Sequence, residues 1–207
     1  MHTPRFVRSI QRAFRGVPLA LGIDRYKHTE DRRVLEDKIF PYFVSAPQYS
    51  KILFVGCAWY TSGYNTIFKD QDFQTLEIDP RESRYGARKH ITDSLENITH
   101  HFEEGGLDLI ICNGVFGWGL DERPRVEAAF QGCFQSLRPG GVLIQGWNDT
   151  PERFPFPLDE CQSLKLFQPF VFPPLSTAQY VIAEKRHIYR FYVKPPDRFL
   201  QLSVANA

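Results

Sequence analysis

The sequence predicts an α/β protein built on a doubly wound, mostly parallel sheet of seven strands, preceded by N-terminal helices. Between residues 51 and 146, short apolar runs alternate with amphipathic segments. This alternation is typical of parallel strands that are covered on both faces by helices. After residue 150, prolines interrupt the chain and leave two β-rich stretches, 164–172 and 187–193. These two stretches fit an antiparallel pair that closes one edge of the sheet.

The first five strands are expected in short stretches that contain apolar or β-branched residues between turn or helix signals. They are 51–55, 73–78, 89–92, 107–112 and 142–146. Helices are expected where apolar residues recur every three or four positions, or where Ser or Thr can cap a helix start. They are 5–15, 30–42, a helix from about 61, a helix from 94, and 122–137. We divide the chain into an N-terminal helical extension or lid, residues 1–45, and a main domain, residues 46–207.

Composition excludes several classes of protein. The chain has 207 residues with 25 Lys+Arg against 24 Asp+Glu, a balance that does not favour nucleic acid as a partner. No apolar run approaches the roughly 18 residues that span a bilayer. Arginines at helical spacing near the N-terminus leave no room for the apolar core of a secretion signal, so we expect a cytoplasmic protein. They are Arg5, Arg8, Arg12 and Arg15.

The same arginines form one stripe of the predicted helix 5–15. This stripe predicts either a solvated helix face or a weak contact with an anionic membrane surface or a phosphate-bearing acceptor.

The four cysteines show no metal-ligand spacing, and we interpret them as reduced, mostly buried thiols, with no metal expected. They are Cys57, Cys112, Cys133 and Cys161. The 18 phenylalanines indicate either a Phe-rich core or a pocket for a flat, apolar substrate.

Candidate ligand-binding residues follow the first strand. In a doubly wound sheet, the loop after this strand meets a ligand. Gly56 begins that loop, but Ala58 and Thr61 stand where a dinucleotide fingerprint would have its other two glycines. The loop therefore argues against a tight pyrophosphate turn, and it also lacks the Gly-Lys-Ser/Thr of a P-loop.

Acidic residues follow the second and third strands. Glu77 lies 21 residues after Gly56, where an acid can hydrogen-bond the two hydroxyls of a ribose, and Asp79 is a second candidate for that role. The alternative is a solvated acid in a turn. Asp93 follows the third strand and can either receive an adenine amino group or cap the next helix. Sequence alone leaves both pairs of alternatives open.

The order of these motifs resembles that of class I S-adenosylmethionine-dependent methyltransferases, over roughly residues 50–150 and more loosely over the closing strand pair. The matching segments are ILFVGCAWYTSGY, LEIDP, ITDS, LDLIICNGVFGWGL and LRPGGVLIQGW. The resemblance implies a Rossmann-like fold and S-adenosyl-L-methionine as cofactor. The cofactor-binding residues that it implies are Gly56, Cys57, Ala58, Tyr60, Glu77, Asp79, Asp93, Asn113 and Gly114.

The first motif departs from the family pattern at three positions. Phe54 replaces the usual acid, and Ala58 and Tyr60 replace the usual second and third glycines. Because Tyr60 places a bulky ring beside the amino-acid end of the cofactor, either it covers the cofactor or the loop is rearranged.

The substrate side is expected after the fourth and fifth strands. Trp118 lies between two glycines and offers a large face for a sugar or aromatic ring, or else fills space under the long helix. Trp147 and Asn148 end the fifth strand and are further substrate-binding candidates. The expected function is methyl transfer to an oxygen or nitrogen of a small molecule or sugar, without an identified catalytic base. The alternative is a non-catalytic subunit that binds S-adenosylmethionine or a partner.

Overall fold

The structure is a computed structural model that describes residues 29–183 and 186–196. The predicted helix 5–15 and its basic stripe lie outside the described residues. The first described helix, α1, consists of three continuous segments, an α-helical Glu30–Val34, a π-helical Leu35–Ile39 and an α-helical Phe40–Ser45. The wide π turn precedes Pro41, which has no backbone N–H for an ordinary helical hydrogen bond and whose ring crowds the preceding turn.

The remaining elements alternate along the chain. The strands are β1 Lys51–Val55, β2 Asp72–Glu77, β3 Lys89–Thr92, β4 Leu107–Asn113, β5 Leu137–Asn148, β6 Gln168–Pro169, β7 Gln179–Ile182 and β8 His187–Val193. The α-helices after α1 are α2 Tyr64–Ile67 and α3 Arg123–Ser136. Short 3₁₀ helices occupy Trp59–Thr61, Pro80–Tyr85, Leu95–His100, Leu158–Glu160 and Ser163–Leu166.

The strands form one mixed sheet in the order β3-β2-β1-β4-β5-β8-β6, with β7 also paired to β8. β1 to β5 are parallel, and β8 runs antiparallel to β5. This arrangement confirms the predicted doubly wound sheet with an antiparallel edge. The strand order reverses between β1 and β4, and the crevice above such a reversal is where open α/β sheets bind ligands.

The sheet edge differs in detail from the prediction. The expected strand 164–172 is instead a 3₁₀ helix, Ser163–Leu166, followed by the two-residue β6. Pro169 has no backbone N–H to donate to the strand pairing, which keeps this segment short. β7 was not predicted and raises the number of strands to eight.

The predicted helices after β1 and β3 are much shorter than expected. A 3₁₀ turn and the four-residue α2 replace the first, and the 3₁₀ helix Leu95–His100 replaces the second. By contrast, the long helix 122–137 is confirmed as α3. Its apolar residues recur at helical spacing, whereas the two short segments lack a sustained apolar repeat.

Two hydrophobic cores cover the two faces of the sheet. Alternate residues of β1 point to opposite faces, so that Leu53 and Val55 pack on the side of α3, and Ile52 and Phe54 pack on the side of α1. The α1 side is rich in phenylalanine, which supports the Phe-rich core of the sequence prediction. Its buried phenylalanines are Phe40, Phe43, Phe54, Phe68, Phe73, Phe172 and Phe191. All four cysteines are buried and free, as expected.

At the amino end of the sheet, the carboxylate of Asp108 joins three segments of the chain. Its Oδ2 accepts hydrogen bonds from the backbone N–H groups of Ser50 and Lys51, each at 2.8 Å. Its Oδ1 accepts a hydrogen bond from Arg138 Nε at 2.6 Å. Burial would raise the pKa of Asp108, but these hydrogen bonds outweigh it and hold the pKa below its ordinary value. We call these residues the Asp108 network.

Candidate functional site

Two adjoining clefts open at the carboxyl ends of the parallel strands, where the strand order reverses. The Glu77 cleft lies above β1, β2 and β4, and its lining includes Gly56, Glu77, Ile78, Asp93, Gly114 and Trp118. The Asn113 cleft lies between α1 and the loops after β1, β4 and β5, and encloses about 650 Å³. Its lining includes Asp31, Arg32, Gly56, Asn113, Trp118 and Arg153. Because Gly56, Gly114 and Trp118 line both clefts, the two form one continuous groove.

Gly56 forms the floor where the two clefts meet. Its backbone has a φ of +92°, a conformation that favours glycine. A Cβ atom at this position would lie 3.0 Å from Val115 Cγ2. Gly114 also has a positive φ, +71°, but a Cβ there would meet no atom within 4 Å. Gly56 is therefore restricted by its backbone and its neighbour, whereas Gly114 faces open space above the strands.

Glu77 ends β2 at the edge of the Glu77 cleft. Its Oε2 accepts a hydrogen bond from Cys57 N–H and its Oε1 accepts one from Asp79 N–H, both at 2.9 Å. These two bonds fix the carboxylate in place, and each oxygen can still accept a second hydrogen bond. The geometry suits the binding of two neighbouring hydroxyl groups.

Asp79 is placed differently from Glu77. It lies beyond the end of β2, and Arg81 donates to both of its carboxylate oxygens. The Arg81 side chain and backbone hydrogen bonds lower the pKa of Asp79 to about 2. Asp79 does not belong to the lining of either cleft. Of the two acids that the sequence offers for this role, Glu77 lines a cleft and Asp79 does not. The ribose role of Glu77 stays a prediction.

Asp93 lines the Glu77 cleft, but its carboxylate is occupied by the segment that follows it. It accepts hydrogen bonds from Asn97 Nδ2 at 2.8 Å and from Ser94 N–H at 2.7 Å, and it lies 2.7 Å from His101 Nε2. Hydrogen bonds from Asn97, His101 and Ser94 lower the pKa of Asp93 to about 2. Asp93 therefore holds the start of the following segment through side chains and one backbone N–H, but Ser94, not Asp93, stands at the cap position of the 3₁₀ helix. Neither sequence alternative is decided, and Asp93 still borders the cleft.

The loop after β1 contributes the side chain of Tyr60 to the Asn113 cleft. Tyr60 lines this cleft, and the guanidinium carbon of Arg32 lies 3.5 Å from the centre of its ring. Ala58 N–H donates to Thr61 Oγ1 at 3.1 Å, which tightens the loop. Cys57 is buried, and burial raises the pKa of its thiol to about 11. The Cys57 thiol is therefore protonated at neutral pH.

Asn113 and Asn148 bring the ends of β4 and β5 to the Asn113 cleft. Asn113 Oδ1 is buried and has no hydrogen-bond partner among the described residues. A Cβ atom on Gly146 would lie 2.1 Å from this oxygen, so the glycine provides the space that the Asn113 side chain occupies. Asp149, next to Asn148, is paired with Arg186 at 2.8 Å.

Trp118 is 53% exposed, so it does not fill space under α3 as one sequence alternative proposed. The guanidinium carbon of Arg153 lies 3.5 Å from the centre of its ring. The loop after β4 and the loop after β5 approach each other closely at Gly117. A Cβ atom there would lie only 2.0 Å from Arg153 O, so the close approach depends on the absence of a side chain. Trp118 lines both clefts and not only the predicted substrate side.

Trp147 does not take the predicted position. It is 2% exposed and packs in the core on the α3 side of the sheet. It lines neither cleft, because β5 extends to Asn148 and makes Trp147 an inward-facing strand residue. We therefore leave Trp147 out of the proposed site.

Sequence reasoning missed four charged residues of the Asn113 cleft, Asp31, Arg32, Glu152 and Arg153. The first two lie in the first turn of a helix that was predicted, but no motif marked them. Arg153 lies in a proline-rich loop without any recognisable motif.

Among the described residues, no three His, Cys, Asp or Glu side chains cluster as metal ligands would. The described helices include none with the length and apolar character that a membrane span requires.

No family model matches the sequence, and no curated protein does. Solved structures are similar in fold. A TehB-like SAM-dependent methyltransferase from Corynebacterium glutamicum is 16% identical, with a TM-score of 0.55 over 93% of this chain and 100% of the other. The N-methyltransferase NodS from Bradyrhizobium japonicum, solved with S-adenosyl-L-homocysteine, is 15% identical, with a TM-score of 0.52 over 84% of this chain and 97% of the other.

A third similar structure is the CurJ carbon methyltransferase, 15% identical, with a TM-score of 0.55 over 84% of this chain and 58% of the other. These likenesses confirm the predicted resemblance at the level of the fold. The chain has the Rossmann-like fold of S-adenosylmethionine-dependent methyltransferases.

Proposed function

We propose that this protein is an S-adenosylmethionine-dependent methyltransferase that acts on an oxygen or nitrogen of a small molecule or sugar. The observation that carries the proposal is the position of Glu77. Its carboxylate ends β2, beside the loop after β1, and two backbone N–H groups hold it at the edge of a cleft. An acid in this position can bind the two hydroxyls of a ribose.

The rest of the groove fits the same cofactor. Gly56 lets a ligand approach the backbone closely, because it has no side chain and adopts a positive φ. Ile78 and Trp118 offer apolar surface along the Glu77 cleft, which suits a flat base. Gly114 and Asn113 border the wider cleft beyond, where an amino-acid end and an acceptor have room. When bound, S-adenosylmethionine supplies an electrophilic methyl group, and the protein's part is to align the acceptor with it and to exclude water.

One observation favours the alternative, a non-catalytic subunit that binds the same cofactor. The loop after β1 carries Ala58 and Tyr60 where methyltransferases of this class usually have glycines, and Arg32 stacks on Tyr60 in the Asn113 cleft. This stacking occupies part of the space next to the acceptor side. The alternative predicts cofactor binding without methyl transfer.

Calorimetry with S-adenosylmethionine, S-adenosylhomocysteine and NAD, side by side, tests the proposal. We expect the first two ligands to bind and NAD not to, because the loop after β1 lacks the glycines for a pyrophosphate. Binding of NAD alone would contradict the proposal. Transfer of a labelled methyl group to a component of a small-molecule extract would then separate the enzyme from the binding subunit.

A further inference from the structure

Asp31, at the start of α1, lines the Asn113 cleft with an unsatisfied oxygen. Its Oδ1 is buried and has no hydrogen-bond partner among the described residues. No ion pair joins it to a described Lys, Arg or His. The neighbouring Arg32 is directed elsewhere, because it donates to Tyr64 Oη at 3.0 Å and stacks on Tyr60. A buried carboxylate oxygen without a partner is costly, so a ligand that donates a hydrogen bond there would be favoured.

A second unsatisfied acceptor lies in the same cleft. Asn113 Oδ1 is also buried without a partner among the described residues. Tyr189 lies beside both residues, because its hydroxyl donates to the backbone oxygen of Asp31 at 3.0 Å and the Asn113 side chain is near enough to the same hydroxyl to influence its pKa, which burial raises. Two acceptors, one of them a carboxylate, therefore line the same cleft. They favour a ligand with several N–H donors and a positive charge.

The other charged groups of the cleft are already engaged. Arg153 stacks on Trp118 and donates to Gly117 O at 3.3 Å. Glu152 is hydrogen-bonded by its own backbone and by Thr150, which lowers its pKa. Arg32 and Arg153 each cover one face of Tyr60 and Trp118, which leaves less aromatic surface in the cleft for a bulky cation such as a quaternary ammonium. A compact –NH₃⁺ or –NH₂⁺– group with several N–H donors matches Asp31 and Asn113 better.

We propose that Asp31 and Asn113 form a subsite for a protonated amine within the Asn113 cleft. The proposal deepens the proposed function, because this amine belongs either to the amino-acid end of the cofactor or to the methyl acceptor. In the second case the acceptor is an amine-bearing small molecule. The two sources share the same chemistry at the subsite and are separated by experiment.

Asp31→Asn tests the subsite, because it removes the charge and keeps the shape. Glu30→Gln is the matched control, since it removes one negative charge from the same first turn at an exposed position outside the cleft. Calorimetry would use S-adenosylhomocysteine, which carries the ammonium, and methylthioadenosine, which lacks it. If the subsite holds the cofactor amine, Asp31→Asn weakens S-adenosylhomocysteine about tenfold and leaves methylthioadenosine unchanged.

If the subsite holds an acceptor amine, Asp31→Asn leaves both nucleosides unchanged. It then abolishes binding of the probes ethanolamine and cadaverine to the full chain saturated with S-adenosylhomocysteine, while the matching diols bind neither protein. The proposal is wrong if Asp31→Asn weakens neither S-adenosylhomocysteine nor the amine probes. It is also wrong if Glu30→Gln weakens them to the same extent. If the wild type binds no nucleoside, the proposed function fails, and the amine probes with the protein alone still decide on the subsite.

Discussion

The two ends of the central strand β4 differ in how their polar groups are satisfied. At the amino end, the Asp108 carboxylate accepts hydrogen bonds from Ser50, Lys51 and Arg138. At the carboxyl end, Asn113 Oδ1 is buried without a partner among the described residues, as is Asp31 Oδ1 in the same cleft. A satisfied polar network stabilises a fold, whereas unsatisfied buried acceptors lower stability unless a ligand completes them. We therefore expect the amino end to contribute to stability, and we expect ligand binding, if the proposed function holds, at the carboxyl end.

The largest effect is expected for Gly56→Val. A side chain at this position would contact Val115 and fill the floor shared by both clefts, so affinity for S-adenosylhomocysteine should fall by at least about a hundredfold. The positive φ adds a stability cost of about 1–2 kcal/mol. Calorimetry measures the affinity, and thermal unfolding measures the stability.

Gly105→Val is the control at the amino end. Gly105 has a comparable φ of +69°, and a Cβ there would lie 3.7 Å from its nearest neighbour, Arg138 Cα. We expect a similar loss of stability with unchanged ligand affinity. If both variants bind S-adenosylhomocysteine normally, Gly56 does not form the floor of the binding groove.

Asp108→Ala should have the opposite result, a loss of stability without a change in binding. It leaves Arg138 and two backbone N–H groups without their acceptor, which we expect to lower the free energy of unfolding by about 3 kcal/mol. Denaturant unfolding measures this change. A change in ligand affinity larger than the change in stability would show that the two ends are not separate in function.

The pH dependence of stability provides a second measurement at the same end. Because the folded pKa of Asp108 is lowered below its ordinary value of 3.8, its contribution is fully present above that pH. It is lost as the pH falls through the lower folded value. The wild type should therefore lose more stability than Asp108→Ala when the pH is lowered from neutrality through this range, and parallel curves would contradict the assignment.

Glu77→Ala should weaken S-adenosylhomocysteine by about 1.5–3 kcal/mol, the usual contribution of a hydrogen bond to a charged group. The carboxylate also accepts from Cys57 N–H, so a modest loss of stability should accompany the change. Asp79→Ala is the control, since Asp79 is paired with Arg81 and lies outside both clefts. Weaker binding in Asp79→Ala alone would move the ribose assignment to that residue.

The smallest effect is expected for Trp118→Phe. Trp118 is 53% exposed at the boundary of the two clefts, whereas Trp147 is 2% exposed in the core. A bound nucleoside should shield Trp118 and shift the tryptophan emission, and Trp118→Phe should remove most of this shift while changing affinity by no more than about twofold. Trp59→Phe, at a residue that is 51% exposed, is the control. Persistence of the full shift in Trp118→Phe would place the ligand elsewhere.

Sequence reasoning found β1 and β4 because these central parallel strands are almost wholly buried and therefore carry nearly continuous apolar runs. It failed for the segments after β1 and β3, where Ser and Thr can cap a helix but no apolar repeat sustains one. It misjudged Trp147 because β5 ends at Asn148, two residues beyond the predicted end at residue 146. Trp147 is therefore a buried strand residue and not a loop residue.

The candidate site was predictable to the extent that it follows from the strand ends. Gly56 and Glu77 were found in this way because their spacing along the chain reflects one β-α-β unit. Asp31 and Arg153 could not be found, since they come from distant parts of the chain and meet only in the folded protein. Nothing in the local sequence distinguishes them from ordinary surface charges.

The outer edge of β8 is shared by two short strands, and this has a consequence for colloidal behaviour. β7 pairs with the first half of β8, and the two residues of β6 pair with its last two positions. The long strand therefore presents no continuous row of unpaired backbone groups to another molecule. At the opposite edge, β3 has only four residues and begins with Lys89. Short or interrupted edges of this kind oppose strand-to-strand aggregation, so both edges of the sheet are protected.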